Sequence, residues 1–155
     1  MAKFKYRLQK VYEMRERHKK EQEQRVNEAV AATRKVEVQR QAKQQEITTL
    51  VEELRRTPPM MMEMGMKYKE KLKEQLLQIE EAYQQVLAKQ REEEQKLSEA
   101  HQALEALEKH KEKCREDWKE EQKAIEMKML DEIGSQRYFR MLVEAAQEAE
   151  LNGED

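Results

Sequence analysis

The chain is poor in the residues that punctuate compact folds. It carries 3 Gly, 2 Pro and 1 Cys in 155 residues, and aromatic side chains make up 5%. So few turn formers exclude a sheet protein, which needs them at every reversal of direction. A single cysteine excludes an internal disulfide framework and suits a reducing compartment. No apolar run approaches the ~20 residues of a membrane-spanning helix, and the opening MAKFKYRLQK lacks the apolar stretch of a secretory signal. A cytoplasmic setting is therefore expected. Nor does one sign of charge dominate, since 31 Lys+Arg meet 33 Asp+Glu for a net charge of -2. Nucleic-acid binders need a basic excess to displace counterions, so that class is disfavoured. Hydrophobic residues reach only 37%, against roughly 45–50% in ordinary globular domains. That leaves disorder, or long helices sharing a narrow seam, rather than a compact enzyme.

What is present is helix-forming sequence. From Lys3 to Arg56 there is no Gly or Pro, and Glu, Lys, Gln, Arg and Ala abound. Thr57-Pro58-Pro59 stops that run, because proline removes an amide donor and restricts the residue before it. A second uninterrupted run extends from Tyr68 to Ile133, and Gly134-Ser135 follows. The expected organisation is one domain, with helix one over about 3–56, a hinge at about 57–66, and helix two over about 67–150 with a bend near 134.

Periodicity decides against disorder. Positions alternating four and three apart from 72 to 125 include Leu72, Leu76, Ile79, Tyr83, Val86, Leu97, Ala100, Leu104, Leu107, Cys114, Trp118 and Ile125. A sustained 3.5-residue repeat is the pattern of a left-handed coiled coil. Helix one follows more weakly: Phe4, Leu8 and Val11 open a seam, Arg15, His18 and Gln22 make it polar, and Val26, Ala29, Val36, Ile47, Leu50 and Leu54 resume it. A short hinge between two seams predicts an all-α fold, two long helices in an antiparallel coiled-coil hairpin. A turn centred near residue 61 sets Phe4 opposite Trp118, Leu8 opposite Cys114, Val36 opposite Val86, Arg40 opposite Tyr83, Leu50 opposite Leu72 and Leu54 opposite Tyr68. Everything after about residue 119 is then a helical overhang without an intrachain partner. It holds Ile125, Met129, Leu130, Ile133, Tyr138, Phe139, Met141, Leu142 and Val143, and an uncovered apolar stripe seeks another molecule.

Candidate chemical sites are few. Met60, Met61, Met62, Met64 and Met66 could offer thioethers to Cu(I); an adaptable apolar surface at the hairpin tip is the other reading. His18, His101 and His110 have no metal spacing with one another or with Cys114, which is expected to be buried in the seam. Runs such as EKHKEKCREDWKEEQK read as solvated helix faces. No Gly-rich phosphate loop, nucleophile elbow or zinc spacing occurs. No catalytic residue, cofactor or metal is expected.

Two segments are more specific than a coiled coil requires. The first reads Phe4-Lys5-Tyr6-Arg7-Leu8-Gln9-Lys10-Val11-Tyr12-Glu13-Met14-Arg15-Glu16, and the second Lys128-Met129-Leu130-Asp131-Glu132-Ile133 followed by Arg137-Tyr138. Together they resemble the FliJ family of flagellar type III export proteins, whose members tend to begin F-x-Y/F-x-L-x-x-V-L-x-x-R and to end with an L-D-E-like segment before arginine. Tyr12 stands where the family often has leucine. The resemblance implies a non-enzymatic, central-stalk-like coiled coil that binds and regulates the hexameric export ATPase (FliI-like) and contacts the export gate protein (FlhA-like) and export chaperones. It implies a cytoplasmic protein peripheral to the inner membrane, with neither nucleic acid nor direct membrane insertion. In the stalk analogy Phe4, Leu8, Val11, Met129, Leu130, Asp131, Glu132, Arg137 and Tyr138 meet the ATPase ring. Leu50, Leu54, Tyr68, Leu72, Leu76 and Ile79, at the opposite tip, are left for the gate. The alternatives are a structural or adaptor coiled coil, self-associating through the overhang, and an injectisome stalk protein of the YscO type.

Overall fold

Strong helix formers without internal proline give two helices and nothing else regular among the described residues, 2–153. In the computed structural model, α1 spans Gln9–Arg55 and α2 spans Pro59–Gly153, 47 and 95 residues respectively. The described residues contain no strand, so the all-α expectation holds. The chain groups into two compact units, residues 10–106 and residues 1–9 with 107–155.

In the first unit α1 and the leading part of α2 form the antiparallel hairpin. Its connection is much shorter than the expected hinge at 57–66. The last turn of α1 tightens through bonds from the Arg56 amide to the Glu53 carbonyl (3.1 Å) and from the Thr57 amide to the Leu54 carbonyl (3.3 Å). Helix α2 then starts at once, because Pro59 occupies the first helical position, where its missing N–H would be unpaired anyway. The Pro58 carbonyl accepts the Met61 amide at 3.0 Å. The methionine cluster expected in the hinge therefore lies in helix.

The shorter connection moves the register by a few residues. Leu54 packs on Gly65 rather than opposite Tyr68, so closely that a Cβ at Gly65 would collide with the Leu54 Cδ2 methyl. Arg40 does meet Tyr83, its guanidinium 4.9 Å from the ring centroid, and it also donates to the Glu80 carboxylate at 2.8 Å. That hydrogen bond raises the Arg40 pKa above its usual value. Lys43 reaches Gln75 at 3.0 Å.

The core is thin, and Ala29, Leu54, Leu72, Ala100 and Leu104 are buried in it. One polar layer interrupts the apolar seam. Gln22, 2% exposed, donates from Nε2 to the Glu93 main-chain carbonyl at 3.0 Å and to the Glu93 carboxylate. A satisfied amide in a coiled-coil seam specifies register at some cost in stability. The Gln22 bond, with Lys96, Arg25 and Lys89 nearby, holds the Glu93 carboxyl below its usual pKa against partial burial. A depressed carboxylate stabilises the fold above its unfolded-state pKa, and the contribution is lost as pH falls through the folded value. The thermal midpoint is expected to drop on acidification below the ordinary carboxylate range, with a shallower drop in Glu93→Gln. Parallel pH profiles for the two proteins would show that Glu93 is not one of the groups responsible.

In the second unit the N-terminus is not helical as far as residue 8, contrary to a helix beginning at 3. Residues 2–6 have no regular structure, and the Gln9 amide bonds the Tyr6 carbonyl at 3.2 Å to start α1. Phe4, Tyr6 and Leu8 are the residues of this stretch withdrawn from solvent, while Lys5 and Arg7 are exposed. That alternation has a period of two, as an extended segment lying on a surface requires. A strap, not a helical turn, satisfies the F-x-Y-x-L spacing. Helix α2 is continuous through Gly134, because an exposed glycine inside a long helix costs only about 1 kcal/mol relative to alanine.

Candidate functional site

The strap lies on residues 110–118 of α2. The Phe4 ring sits 5.9 Å from Trp118 at an interplanar angle of 55°, with the Arg115 guanidinium 5.7 Å away. Tyr6 tilts against His110 with centroids 5.7 Å apart, and its hydroxyl lies 2.6 Å from His110 Nδ1. Lys111 donates to the Gln9 side chain at 3.0 Å and stands 5.9 Å from the Tyr6 centroid. Burial of Tyr6, with Cys114 adding a smaller effect, raises the phenol pKa above its usual value. Cys114, expected to be buried, is half-buried and sits 3.8–3.9 Å from the His110 ring nitrogens. Leu8 and Cys114 do share one cleft, as expected.

Beyond the strap, every described residue from 123 to 153 is exposed. This segment is far from polar. Ile125, Met127, Met129, Leu130, Ile133, Tyr138, Phe139, Met141, Leu142 and Val143 are all 40–67% accessible. Their distribution around the helix matters more than their number. At roughly 100° per residue, Met129, Leu130 and Leu142 lie about 100–140° apart around the axis. Ile133, Tyr138 and Phe139 fill the sectors between them. A coiled-coil strand needs one apolar seam, whereas a helix that is apolar on all sides is one that becomes enclosed. Asp131, Glu132, Arg137, Arg140 and Glu144 are interspersed and equally exposed.

The residues expected at the ATPase are thus not one cluster. Phe4 and Leu8 are half-buried in the strap. Met129, Leu130, Asp131, Glu132, Arg137 and Tyr138 are exposed on the C-terminal helix. Met129 follows Trp118, the partner of Phe4, by 11 residues, or roughly 16 Å of helix. Val11 belongs to α1 in the hairpin and is 38% exposed.

The residues expected at the gate divide in the same way. Leu54 and Leu72 are buried in the hairpin, Leu50, Leu76 and Ile79 are half-buried, and only Tyr68 is exposed. Its hydroxyl reaches Glu46 at 3.3 Å. The apolar surface the tip does expose is methionine: Met60, Met61, Met62, Met64 and Met66. Two features escaped the sequence reading, namely the strap contact of Tyr6 with His110 and the Gln22–Glu93 layer. The alternation of Phe4, Tyr6 and Leu8 was the available signal for the first. For the second, Gln22 is one of the polar seam positions of helix one, and position 93 falls on the four-and-three spacing of helix two, between Val86 and Leu97.

Among the described residues no group of three or more His, Cys, Asp or Glu side chains is placed to hold a metal ion. No described helix is long and apolar enough to cross a membrane. No curated protein and no solved structure matches the chain. A family model described as the flagellar FliJ protein matches residues 4–142. That span contains the strap, the hairpin and the exposed apolar helix. With its two long helices and its coiled-coil seams, the chain belongs to the flagellar FliJ protein family, a family of flagellar export-related coiled-coil proteins.

Proposed function

We propose that the chain is a non-enzymatic stalk of the flagellar type III export apparatus, binding and regulating the hexameric export ATPase through the C-terminal part of α2. One observation carries this reading: residues 125–143 present apolar side chains on all sides of an uncovered helix. A single partner helix would cover one face, while a ring of subunits covers every face at once. Met129, Leu130 and Tyr138 supply the apolar contacts in this reading, and Asp131, Glu132 and Arg137 supply polar contacts that set rotational position. An asymmetric rod inside a symmetric ring favours some subunit states over others, which couples the state of the ring to the rod. The strap, through Phe4 and Leu8, shapes the helix just before the enclosed segment. The hairpin tip is left for the export gate and the chaperones delivered there, with Tyr68 and Leu76 as contacts and Leu54 and Leu72 as their support. The working place of the protein is then peripheral to the inner membrane.

The test is the ATP hydrolysis rate of the cognate export ATPase with the full chain and with a chain ending at residue 122. Stimulation by the first and none by the second is the expected result. Equal stimulation would remove the C-terminal helix from the mechanism. If neither acts, the chain is an adaptor, and concentration-dependent association of the full chain alone would identify a second copy as the cover of the helix.

A further inference from the structure

One line along the uncovered part of α2 has the same chemical pattern in both directions. Ile125, Met129, Glu132, Gln136, Phe139 and Val143 follow one another at alternating spacings of four and three. At roughly 100° per residue they all fall within about 40° of a single line along the helix. Ile125 and Val143 stand nine residues either side of Gly134, Met129 and Phe139 five, and Glu132 and Gln136 two. Two apolar layers and one polar layer are thus matched about one centre. The four apolar members are 40–66% exposed, and Glu132 and Gln136 are exposed as well. One flank of the line carries Glu126, Ile133 and Arg140, each seven residues from the next. Trp118 also lies on the line, so the seam continues the one that the strap closes by setting Phe4 on Trp118. Leu130, Tyr138 and Met141 belong to other sides of the helix.

From this we infer that a second copy of the chain covers this line, its α2 running antiparallel about a twofold axis at the level of Gly134. Each half of the contact then sets Ile125 on Val143 of the second copy, Met129 on its Phe139, and the Glu132 carboxylate beside its Gln136 amide. Thioether sulfur against an aromatic ring is a favourable contact, and the amide has an N–H to donate to the carboxylate. The hairpin already contains a layer of this kind, in which Gln22 donates to the Glu93 carboxylate. On the flank, Glu126 meets Arg140 of the second copy at both ends, and the two Ile133 side chains meet at the axis. Charges beside a coiled-coil seam set partner and orientation. Other pairings of the same two helices are worse. A parallel pair in register opposes Glu132 to Glu132 and Glu126 to Glu126. Slipping the antiparallel pair by one heptad sets Glu132 against Val143 or Met129, which strips water from a carboxylate and gives it no donor. The pairing is the state of the free chain and does not rest on the ATPase reading; a ring that encloses the same helix displaces the second copy.

The experiment is analytical ultracentrifugation of the full chain over a range of concentrations, with the variants Phe139→Asp, Glu126→Arg and Arg140→Glu. All three side chains are exposed, so far-UV circular dichroism is expected to match the parent and separate lost pairing from lost folding. A monomer–dimer equilibrium is expected for the parent. Phe139→Asp alters two layers of the dimer and is expected to weaken it about thirtyfold or more. Each charge reversal alone opposes like charges at both ends and is expected to weaken it about tenfold. An equimolar mixture of the two reversals is expected to regain the parent affinity, because each chain then supplies the charge that the other lacks. Only antiparallel pairing between two chains gives that recovery. The inference is overturned if the parent stays monomeric at every concentration, if Phe139→Asp dimerises like the parent, or if the mixture associates no better than either reversal alone.

Discussion

Leu72→Ala is expected to destabilise the hairpin by about 2–5 kcal/mol, the usual cost of a large-to-small change at a buried position. Leu72 is 2% exposed and lies in a core with few other large side chains. A two-helix seam has little material with which to close a cavity, so the loss should fall toward the upper part of that range. For a unit of this size each kcal/mol moves the thermal midpoint by about 4–8 °C, and a drop of about 10 °C or more should appear in a circular dichroism melt. Leu72→Met keeps the volume and is expected to cost less than about 1.5 kcal/mol. The resemblance to stalk proteins offered Leu72 as a gate contact. A packing role predicts that any loss of gate binding in Leu72→Ala is restored at temperatures where the variant is fully folded. If Leu72→Ala melts like the parent and still fails to bind the gate, the residue is a contact and not a core position.

The second large effect concerns the helix beyond the strap. Met129→Asp, Leu130→Asp and Leu142→Asp place a carboxylate on three sides of one exposed segment. Each residue is 51–64% accessible in the free chain, so none of the changes should affect folding. Enclosure by a ring predicts that all three weaken ATPase binding, each by about thirtyfold or more, the loss expected when an interface anchor worth 2 kcal/mol or more is removed. A single coiled-coil partner predicts that only the substitution on its side is harmful. Titration of the ATPase with each variant, read as the concentration for half-maximal stimulation, distinguishes the two. Two silent sides would exclude the ring as the cover of this helix.

Much of the architecture is legible in the sequence. The seam from Leu72 to Trp118, the proline stop after Arg56 and the apolar character of residues 125–143 follow from local propensity and a 3.5-residue repeat. Both of those act over a few neighbouring residues. Of the expected pairings, Phe4 with Trp118 and Arg40 with Tyr83 stand in the structure, and Leu8 shares a cleft with Cys114. The register around them was less legible, because it depends on the length of the connection. Pro59 reads as a breaker when judged alone, yet at a first helical position it starts a helix. The connection is therefore shorter than the expected hinge at 57–66, and Leu54 packs on Gly65 and not opposite Tyr68.

The candidate site shows the same division. That an apolar segment lies uncovered was visible in the sequence, because the first helix is too short to pair with all of the second. Which of its sides remain open was not, since exposure is a property of neighbours and not of residue type. Phe4 and Leu8 match a helical spacing as well as an extended one, and propensity favours the helix. Contacts of Phe4 with Trp118 and of Tyr6 with His110, more than a hundred residues away in sequence, favour the strap instead. Leu54, Leu72 and the methionines likewise look alike as apolar residues near a turn. Only packing divides them, burying the leucines between two helices and leaving the methionines in solvent. The sequence by itself determined helix, seam and excess apolar surface, because those depend on local backbone preference and period. Tertiary structure decided strap, register and which apolar groups stay exposed, because those depend on contacts between residues far apart in the chain.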